Sequence, residues 1–451
     1  MKSRNAVSEI KVTRGNDGPK ATPKQLARAI VSGWAGTSLE YFDFQLYGLA
    51  AALVLPQLFF PDAGPAMGLL ASFATYAVGF LARPVGAIFF GRLGDKHGRK
   101  AVLIVTIALM GLSTVGIGLL PTFDTVGWLA PILLVILRLA QGFGAGAELA
   151  GASVLLAEYA PPRRRGLVGA FVAVGTNTGT LLASGVWLLL ATGGDEWLLE
   201  WGWRIPFVAS IVVALFALVV RRYLNETPVF VAATADEPIV ERTPLTDAWR
   251  YGKKAFVANM GLRIAENGPS SVFQSFLLGY IATVLLVDRA VGTQAVFIAS
   301  LVGFATVPLF GWLSDVYGRR IMYRILTIFQ FVWAIPTMLL LQTGEPALIQ
   351  LALIVGISIG VLGLYSIQGA LMPELFGSRY RYTGLAVSKE FGSILSGGTA
   401  PMVCSALIAA FANSWVPIAV YIMVAAAIGI VTTFLIPETK GRDLTIAEDA
   451  L

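Results

Sequence analysis

The amino-acid sequence predicts an all-α membrane protein: twelve transmembrane helices in two six-helix bundles related as parallel repeats, with both termini on the cytoplasmic side. Three observations predict it. Apolar runs of spanning length recur along a chain that is 56% hydrophobic and only 13% charged, with a mean hydropathy of +0.73. Lysine and arginine fall on alternate connections between those runs. Two short motifs of the first half recur in the second at nearly the same offset.

A soluble globular domain carries roughly 25% charged residues. Half that fraction leaves too little polar surface to cover a soluble particle of 451 residues. A span of hydrocarbon needs about 20 apolar residues as a helix, and a helix satisfies its own backbone where a barrel would show short alternating strands. The runs read as helices over 27–55, 67–90, 101–120, 128–157, 166–191 and 203–222, then 255–287, 293–313, 320–341, 346–372, 383–411 and 415–436. Pro56, Pro61, Pro65, Pro121 and Pro346 mark turns between them.

Sidedness follows from the basic residues. They crowd the N-terminal tail, residues 91–100, Arg163–Arg165, residues 221–254, Arg319–Arg324, Arg379 and Arg381, and the C-terminal tail. The opposite connections carry none except Arg289. The positive-inside rule then puts both ends in the cytoplasm and requires an even number of spans. The net charge of +6 thus reports orientation in a bilayer, and no nucleic-acid partner is expected. The expected divisions are a cytoplasmic tail at 1–26, a first bundle at 27–222, a hydrophilic cytoplasmic linker at 223–254, a second bundle at 255–437 and a tail at 438–451. The N-terminal stretch has no apolar core and does not read as a signal peptide. The single cysteine, Cys404, lies in an apolar run and excludes an internal disulfide or a cysteine metal site.

The repeat ties the halves together. Gly91-Arg-Leu-Gly-Asp95-Lys-His-Gly98-Arg99-Lys100 recurs 220 residues on as Gly311-Trp-Leu-Ser-Asp315-Val-Tyr-Gly318-Arg319-Arg320. Glu158 and Arg165 recur 216 residues on as Glu374 and Arg381. A near-constant offset with preserved sidedness is the mark of a parallel duplication.

The first of these motifs resembles the signature of the major facilitator superfamily. Further stretches resemble its metabolite:proton symporter branch: Glu40-Tyr-Phe-Asp43-Phe, Phe80-Leu-Ala-Arg83-Pro84, Arg138-Leu-Ala-Gln141-Gly142, Trp201-Gly-Trp-Arg204-Ile-Pro206-Phe, Glu226-Thr-Pro228-Val-Phe, Glu374-Leu-Phe and Arg381-Tyr-Thr-Gly384. The resemblance spans nearly the whole chain and implies the major facilitator fold in a bacterial inner membrane, acting as a monomer. It also implies carriage of small solutes such as shikimate, 2-oxoglutarate, citrate, proline or betaine. One departure is Gly146-Ala147-Glu148-Leu149-Ala150-Gly151, which keeps the family's carboxylate and loses its aromatic. The fifth helix has Gly175 and Gly179 without the Gly-Pro pair of antiporters, which weighs against a drug exporter.

Charges inside the spans are functional candidates because each costs about 2.5–3.5 kcal/mol to insert. Glu40 and Asp43 lie mid-helix and share a face with Tyr47; Arg138 is as deep, and Glu148 and Arg83 sit nearer the cytoplasm. In the seventh span Arg263, Glu266, Asn267, Ser270 or Ser271, and Gln274 form one polar stripe that must face a cavity. Gly268 and Pro269 are expected to break the helix within that stripe, as at a substrate site. Lys389 and Glu390 enter the eleventh span. Other uses fit the same residues. Asp43 and Arg138, with Glu40 and Glu148, would also serve as static buried pairs, Arg263 could pair with Glu266, and Arg83, Lys389 and Glu390 could snorkel to the interface.

The expected activity is proton-coupled symport by rocking of the two halves. Protons are the coupling ion and no cofactor is expected. Asp43 is the first choice of proton acceptor and Glu148 the second, with Arg138 as electrostatic partner and Glu40 nearby. Arg263, helped by Arg83 or Lys389, would hold a substrate carboxylate; Glu266, Glu390, Tyr47, Asn267, Gln274 and Gln368 complete the binding set. Gly91, Asp95, Gly98, Arg99, Lys100, Glu158, Arg165, Asp315, Arg319, Glu374 and Arg381 would form a cytoplasmic latch. The mix of acids and bases suits a small organic anion, shikimate or a mono- or dicarboxylate, with a zwitterionic osmolyte as the alternative. An uncoupled facilitator, a drug antiporter and a transport-dead sensor are the other classes. His97, the only histidine, lies outside the spans, so no histidine relay is expected, and no nucleotide loop or triad points to an enzyme.

Overall fold

The structure, a computed structural model, describes residues 23–97, 99–146, 149–223, 252–378, 381–446 and 448–451. Most of the expected tail and linker, together with Gly98 and Glu148, lie outside them. The described residues are helical and contain no strand. The first half contains α1 (Pro23–Leu53), α2 (Gly64–His97), α3 (Arg99–Gly118), α4 (Leu129–Ala145), α5 (Leu149–Tyr159), α6 (Arg165–Ala191) and α7 (Arg204–Tyr223). The second contains α8 (Lys253–Ser271), α9 (Leu277–Thr283), α10 (Arg289–Tyr317), α11 (Arg319–Gln342), α12 (Pro346–Val355), α13 (Leu362–Leu375), α14 (Arg381–Ser393), α15 (Ala400–Ala410) and α16 (Val416–Leu435).

Seven helical segments among the described residues are long and apolar enough to cross a bilayer, or eight if the rod bent by 50° at Gly202–Arg204 counts as one span. Neither α1 nor α8 is among them. These two carry Glu40, Asp43, Arg263 and Glu266, all buried between helices. The charges that lower their hydropathy are therefore turned inward, while Val31 and Val257 lie on outer surfaces.

The same packing recurs in each half. In the first, α1 lies on α6, α2 on α4 and α3 on α7; in the second, α8 lies on α14, α10 on α12 and α13, and α11 on α16. The halves meet where α6 crosses α10 and where α2 crosses α15. Small residues permit the close crossing: Gly166 abuts Gly311, and Gly169 abuts Gly369.

Two local expectations are corrected. The 91–100 loop is largely helix, because nothing between Gly91 and His97 stops α2. In the repeat the stop is Gly318, whose φ of 107° ends α10 in a conformation open to glycine. Nor does Gly268-Pro269 break the seventh span. The helix runs through both to Ser271 and then widens into a π-helical turn, Val272–Phe276. Pro269 cannot donate to the carbonyl of Ala265 four residues back. Gln330 of α11 replaces the missing donor, its Nε2 lying 2.8 Å from the Ala265 oxygen. Further π-helical turns join α12 to α13 (Gly356–Val361) and α14 to α15 (Ile394–Gly398). Such turns concentrate at functional sites.

Candidate functional site

A central cavity of about 50 Å³ lies between the halves, with room for a few waters. Gln45, Arg83, Arg263, Glu266, Asn267 and Gln274 are its polar walls, and Tyr41 and Tyr365 close one side. The π-helical turn after α8 aims Gln274 into this space. Gln45 of the first half donates to the Gln274 carbonyl of the second at 2.9 Å. The buried Oδ1 of Asn267 has no donor among the described residues, so an acceptor stands ready for a hydroxyl or ammonium group.

Charged side chains cluster along this wall. The Arg83 guanidinium lies between two carboxylates, with Nη2 3.1 Å from Glu40 Oε1 and Nε 2.9 Å from Glu390 Oε2. Glu40 belongs to the first half and Glu390 to the second, so one cation joins them. The rings of Phe44 and Phe80 flank it at 4.8 and 5.4 Å. Arg263 pairs with Glu266 at 2.6 Å and donates to Ser393 Oγ at 2.9 Å. Lys389 is 3% exposed and has no hydrogen bond or ion pair among the described residues; Tyr365 offers its ring face at 5.7 Å.

Asp43 occupies a separate, neutral-lined niche. Thr114 Oγ1 of α3 lies 3.2 Å from Asp43 Oδ2 and 3.0 Å from the carbonyl of Met110. Gln141 Nε2 donates to Thr114 Oγ1 at 2.8 Å, and Arg138 Nη1 donates to Gln141 Oε1. Arginine is donor-only, so it fixes the Gln141 oxygen toward itself and the amide N–H toward Thr114. Every hydrogen bond in this chain therefore points from Arg138 toward Asp43. The hydroxyl hydrogen of Thr114 serves an ionised Asp43. When Asp43 is protonated, the same hydroxyl can turn its hydrogen to the Met110 carbonyl and accept a hydrogen bond from the carboxyl O–H. Both states are satisfied without moving a heavy atom. Arg138 is held by the carbonyls of Thr75 and Tyr76 and by the Tyr47 ring at 3.8 Å, and Gly79 leaves room for its guanidinium.

A second charged layer closes the end of the bundle that holds the described chain ends. Asp315 accepts from the backbone N–H groups of Gly166 and Leu167, each at 2.8 Å, and so sits on the N-terminus of α6 in the other half. Arg319 pairs with Asp315 at 2.7 Å and Glu374 at 3.4 Å, and Arg165 reaches the other Glu374 oxygen at 3.1 Å. Arg381 pairs with Glu158 at 3.1 Å. Residues 436–446 strap this layer: Thr439 donates to Glu374 at 2.7 Å, and Glu438 accepts from the N–H groups of Arg319 and Arg320. At the opposite end Phe73 packs on Phe276 across the halves, and Gly279 abuts Leu69. Contacts between the halves thus flank the cavity at both ends.

The structure thus gathers Arg83, Arg263, Glu266, Asn267 and Gln274 around one cavity, and Asp315, Arg319, Glu374, Arg165, Arg381 and Glu158 in one latch. It separates other residues that the sequence grouped. Glu40 and Asp43 serve different neighbours, and Arg138 reaches Asp43 only through Gln141 and Thr114. Tyr47 lies behind the cavity wall, its hydroxyl bonded to Thr75 and its ring on Arg138. Gln368 and Lys389 line a smaller pocket below Tyr365. Arg83, Lys389 and Glu390 do not snorkel: each is under 5% exposed, because their partners or neighbours lie between the helices. The open alternative for Arg263 and Glu266 is realised as a pair. The side chains of Gly91, Asp95, Arg99 and Lys100 lie outside the description, as does Glu148. Thr114, Tyr41 and Tyr365 escape a reading for charge because they are neutral; the signal that could have found Gln141 is its place three residues after Arg138.

Residues 33–397 match the family model of the Major Facilitator Superfamily. YdfJ of Escherichia coli (strain K12), a transporter by name, is 44% identical over 412 residues, 90% of this chain and 96% of its own. The shikimate transporter of the same organism is 37% identical, covering 92% of this chain and 95% of its own, and its proline/betaine transporter is 36% identical, covering 94% and 86%. Among solved structures, the proton:xylose symporter XylE superposes with a TM-score of 0.73 at 17% identity, over 94% of this chain and 98% of its own. The chain is a multi-pass membrane transporter, not an enzyme, and belongs to the Major Facilitator Superfamily.

Proposed function

We propose that the chain imports a small organic acid together with a proton. It would act as a monomer of twelve spans in a bacterial cytoplasmic membrane, with both termini cytoplasmic and the two halves rocking around the central cavity. The observation that carries this reading is a charge balance. Among the described residues the buried acids of the cavity and its niche are Glu40, Asp43, Glu266 and Glu390, and the buried bases are Arg83, Arg138, Arg263 and Lys389. Four meet four. A carboxylate entering this low-dielectric interior adds an uncompensated charge, which is costly. A proton arriving with it restores neutrality. Asp43 is the acceptor best suited to that proton, since its niche accommodates both protonation states.

In this mechanism the substrate carboxylate displaces Glu266 from Arg263, while Asn267 and Gln274 take its hydroxyl groups. Seating it loosens contacts that hold the closed state, and the halves rock toward the cytoplasm as the latch opens. The names of the shikimate and proline/betaine relatives support small polar solutes. A zwitterion adds no net charge and needs no proton for balance, so the acid is the first reading.

The test is uptake of radiolabelled shikimate, simple mono- and dicarboxylates, proline and betaine into proteoliposomes under an imposed inward proton gradient. Gradient-driven accumulation of a carboxylate, abolished by a protonophore, is expected. Asp43→Asn should lose uphill uptake and keep exchange. Accumulation indifferent to the gradient rejects the coupling, and accumulation of betaine alone moves the substrate class to zwitterions.

A further inference from the structure

The smaller pocket has an occupant problem that the central cavity lacks. It holds about 10 Å³, one water, and is lined by Ser153, Tyr365, Gln368, Met372, Leu385 and Lys389. Ser153 of α5, with Val172 of α6, comes from the first half and the others from α13 and α14 in the second, so the pocket lies on the seam that must part. Tyr365 lines both spaces, and its hydroxyl lies 3.3 Å from that of Tyr41 across the same seam. The tyrosine pair is a partition between them.

Lys389 is the anomaly. The neighbouring acids are all engaged: Glu40 and Glu390 on Arg83, and Glu266 on Arg263. The cluster is neutral as a whole, yet its contacts are unequal. One arginine has two carboxylates, and the lysine has none. A buried ammonium without an acceptor is destabilising unless something answers its charge. Gln368 does not supply it, because its Oε1 faces Arg263 and its Nε2 is a donor to Leu262 and Tyr323. Its charge balances the cluster, but no contact among the described residues fixes the ammonium in place.

We infer that Lys389 is a second station for the carboxylate, on the latch side of the Tyr41–Tyr365 partition. The inference rests on reading the chain as a carboxylate carrier. The anion leaves Arg263 when Glu266 returns to it, passes the parted tyrosines and meets Lys389 before reaching the open latch. Glu266 thereby resets the first station, and Lys389 draws the anion onward. Once the seam parts, the widened pocket takes a carboxylate or sulfonate headgroup and rejects a cation.

The pocket can be probed without knowing the substrate. Ser153→Cys is introduced into the full chain in membrane vesicles, with Cys404→Ala removing the native thiol, which is itself buried. Modification rates are compared for the anionic sulfonatoethyl and the cationic trimethylammonioethyl methanethiosulfonates, each normalised to a free thiol. A cation in a confined cleft raises local anion encounter by roughly tenfold or more, so the anionic reagent should lead by about that factor. Lys389→Met should abolish the preference and Lys389→Arg should retain it. A preference untouched by Lys389→Met overturns the inference. So does a thiol that reacts with neither reagent under either direction of the proton gradient. Failure of gradient-driven uptake with the preference intact would sink the carrier reading and leave the anion site standing.

Discussion

The molecule buries charge in two places, and the two are built differently. In the latch each buried acid or base meets an opposite charge, and backbone groups add to the pairing, with Arg319 Nη2 left over: Arg165 also donates to Ala157, Arg381 to Pro373 and Leu444, and Asp315 accepts two N–H groups. Around the cavity the pairing is lopsided, with Arg83 shared, Arg263 held by a neighbour on its own helix, and Lys389 alone. The latch is a lock that is complete in one state. The cavity is a set of charges that a visitor can rearrange. A transporter needs both, because the closed state must be worth forming and the substrate must be able to change what closed costs.

Removing a central latch charge gives the largest expected effect. Arg319 is fully buried against Asp315 and Glu374. Arg319→Leu leaves Asp315 without its cation and Glu374 with Arg165 alone, and breaking a buried pair costs about 3–5 kcal/mol. The melting temperature in detergent should fall steeply, and cytoplasmic thiol probes placed on α6 should gain access. Lys389→Met, which deletes a cation with no hydrogen-bonded partner, breaks no contact and removes only its share of the charge balance, so it should lower the melting temperature far less. If the two variants destabilise alike, the contrast between lock and exchangeable site is wrong.

Asp43 sharpens the contrast from the cavity side. Thr114→Val removes the hydroxyl that serves both protonation states, while Thr114→Ser keeps it. A hydrogen bond to a charged group is worth about 1.5–3 kcal/mol, so gradient-driven uptake should drop roughly tenfold or more in the valine variant and recover in the serine variant. Exchange, which needs no net proton movement, should change far less. Equal loss in both assays would make Thr114 a packing residue only.

Much of this was readable in the sequence, and the limit has a physical cause. Periodicity and the placement of lysine and arginine report local and interfacial preferences, so the helices and the repeat could be read directly. The polar stripe from Arg263 to Gln274 was visible because one helix face carries it. Which charges meet was not visible, since Arg83 finds Glu390 only after α2 is laid beside α14. The one pairing that could be foreseen, Arg263 with Glu266, is the one made within a single helix. The partnerless state of Lys389 is a property of the whole cluster and has no signature in its own segment.

The smallest expected effect concerns the scaffold that carries the stripe. Gln330 points its amide N–H at the Ala265 carbonyl that Pro269 leaves without a donor, and its own Oε1 is buried with no partner. The residue is thus held for one hydrogen bond despite a cost at its other end. Gln330→Leu should destabilise by about 1–3 kcal/mol, the penalty for an unsatisfied buried acceptor. Pro269→Ala restores the backbone N–H, so adding Gln330→Leu to it should cost almost nothing, or stabilise by removing the orphaned oxygen. A melting-temperature cycle over the two positions reads the coupling. If the two changes simply add, the carbonyl is satisfied in some other way, and the unbroken course of α8 through Gly268-Pro269 needs another cause.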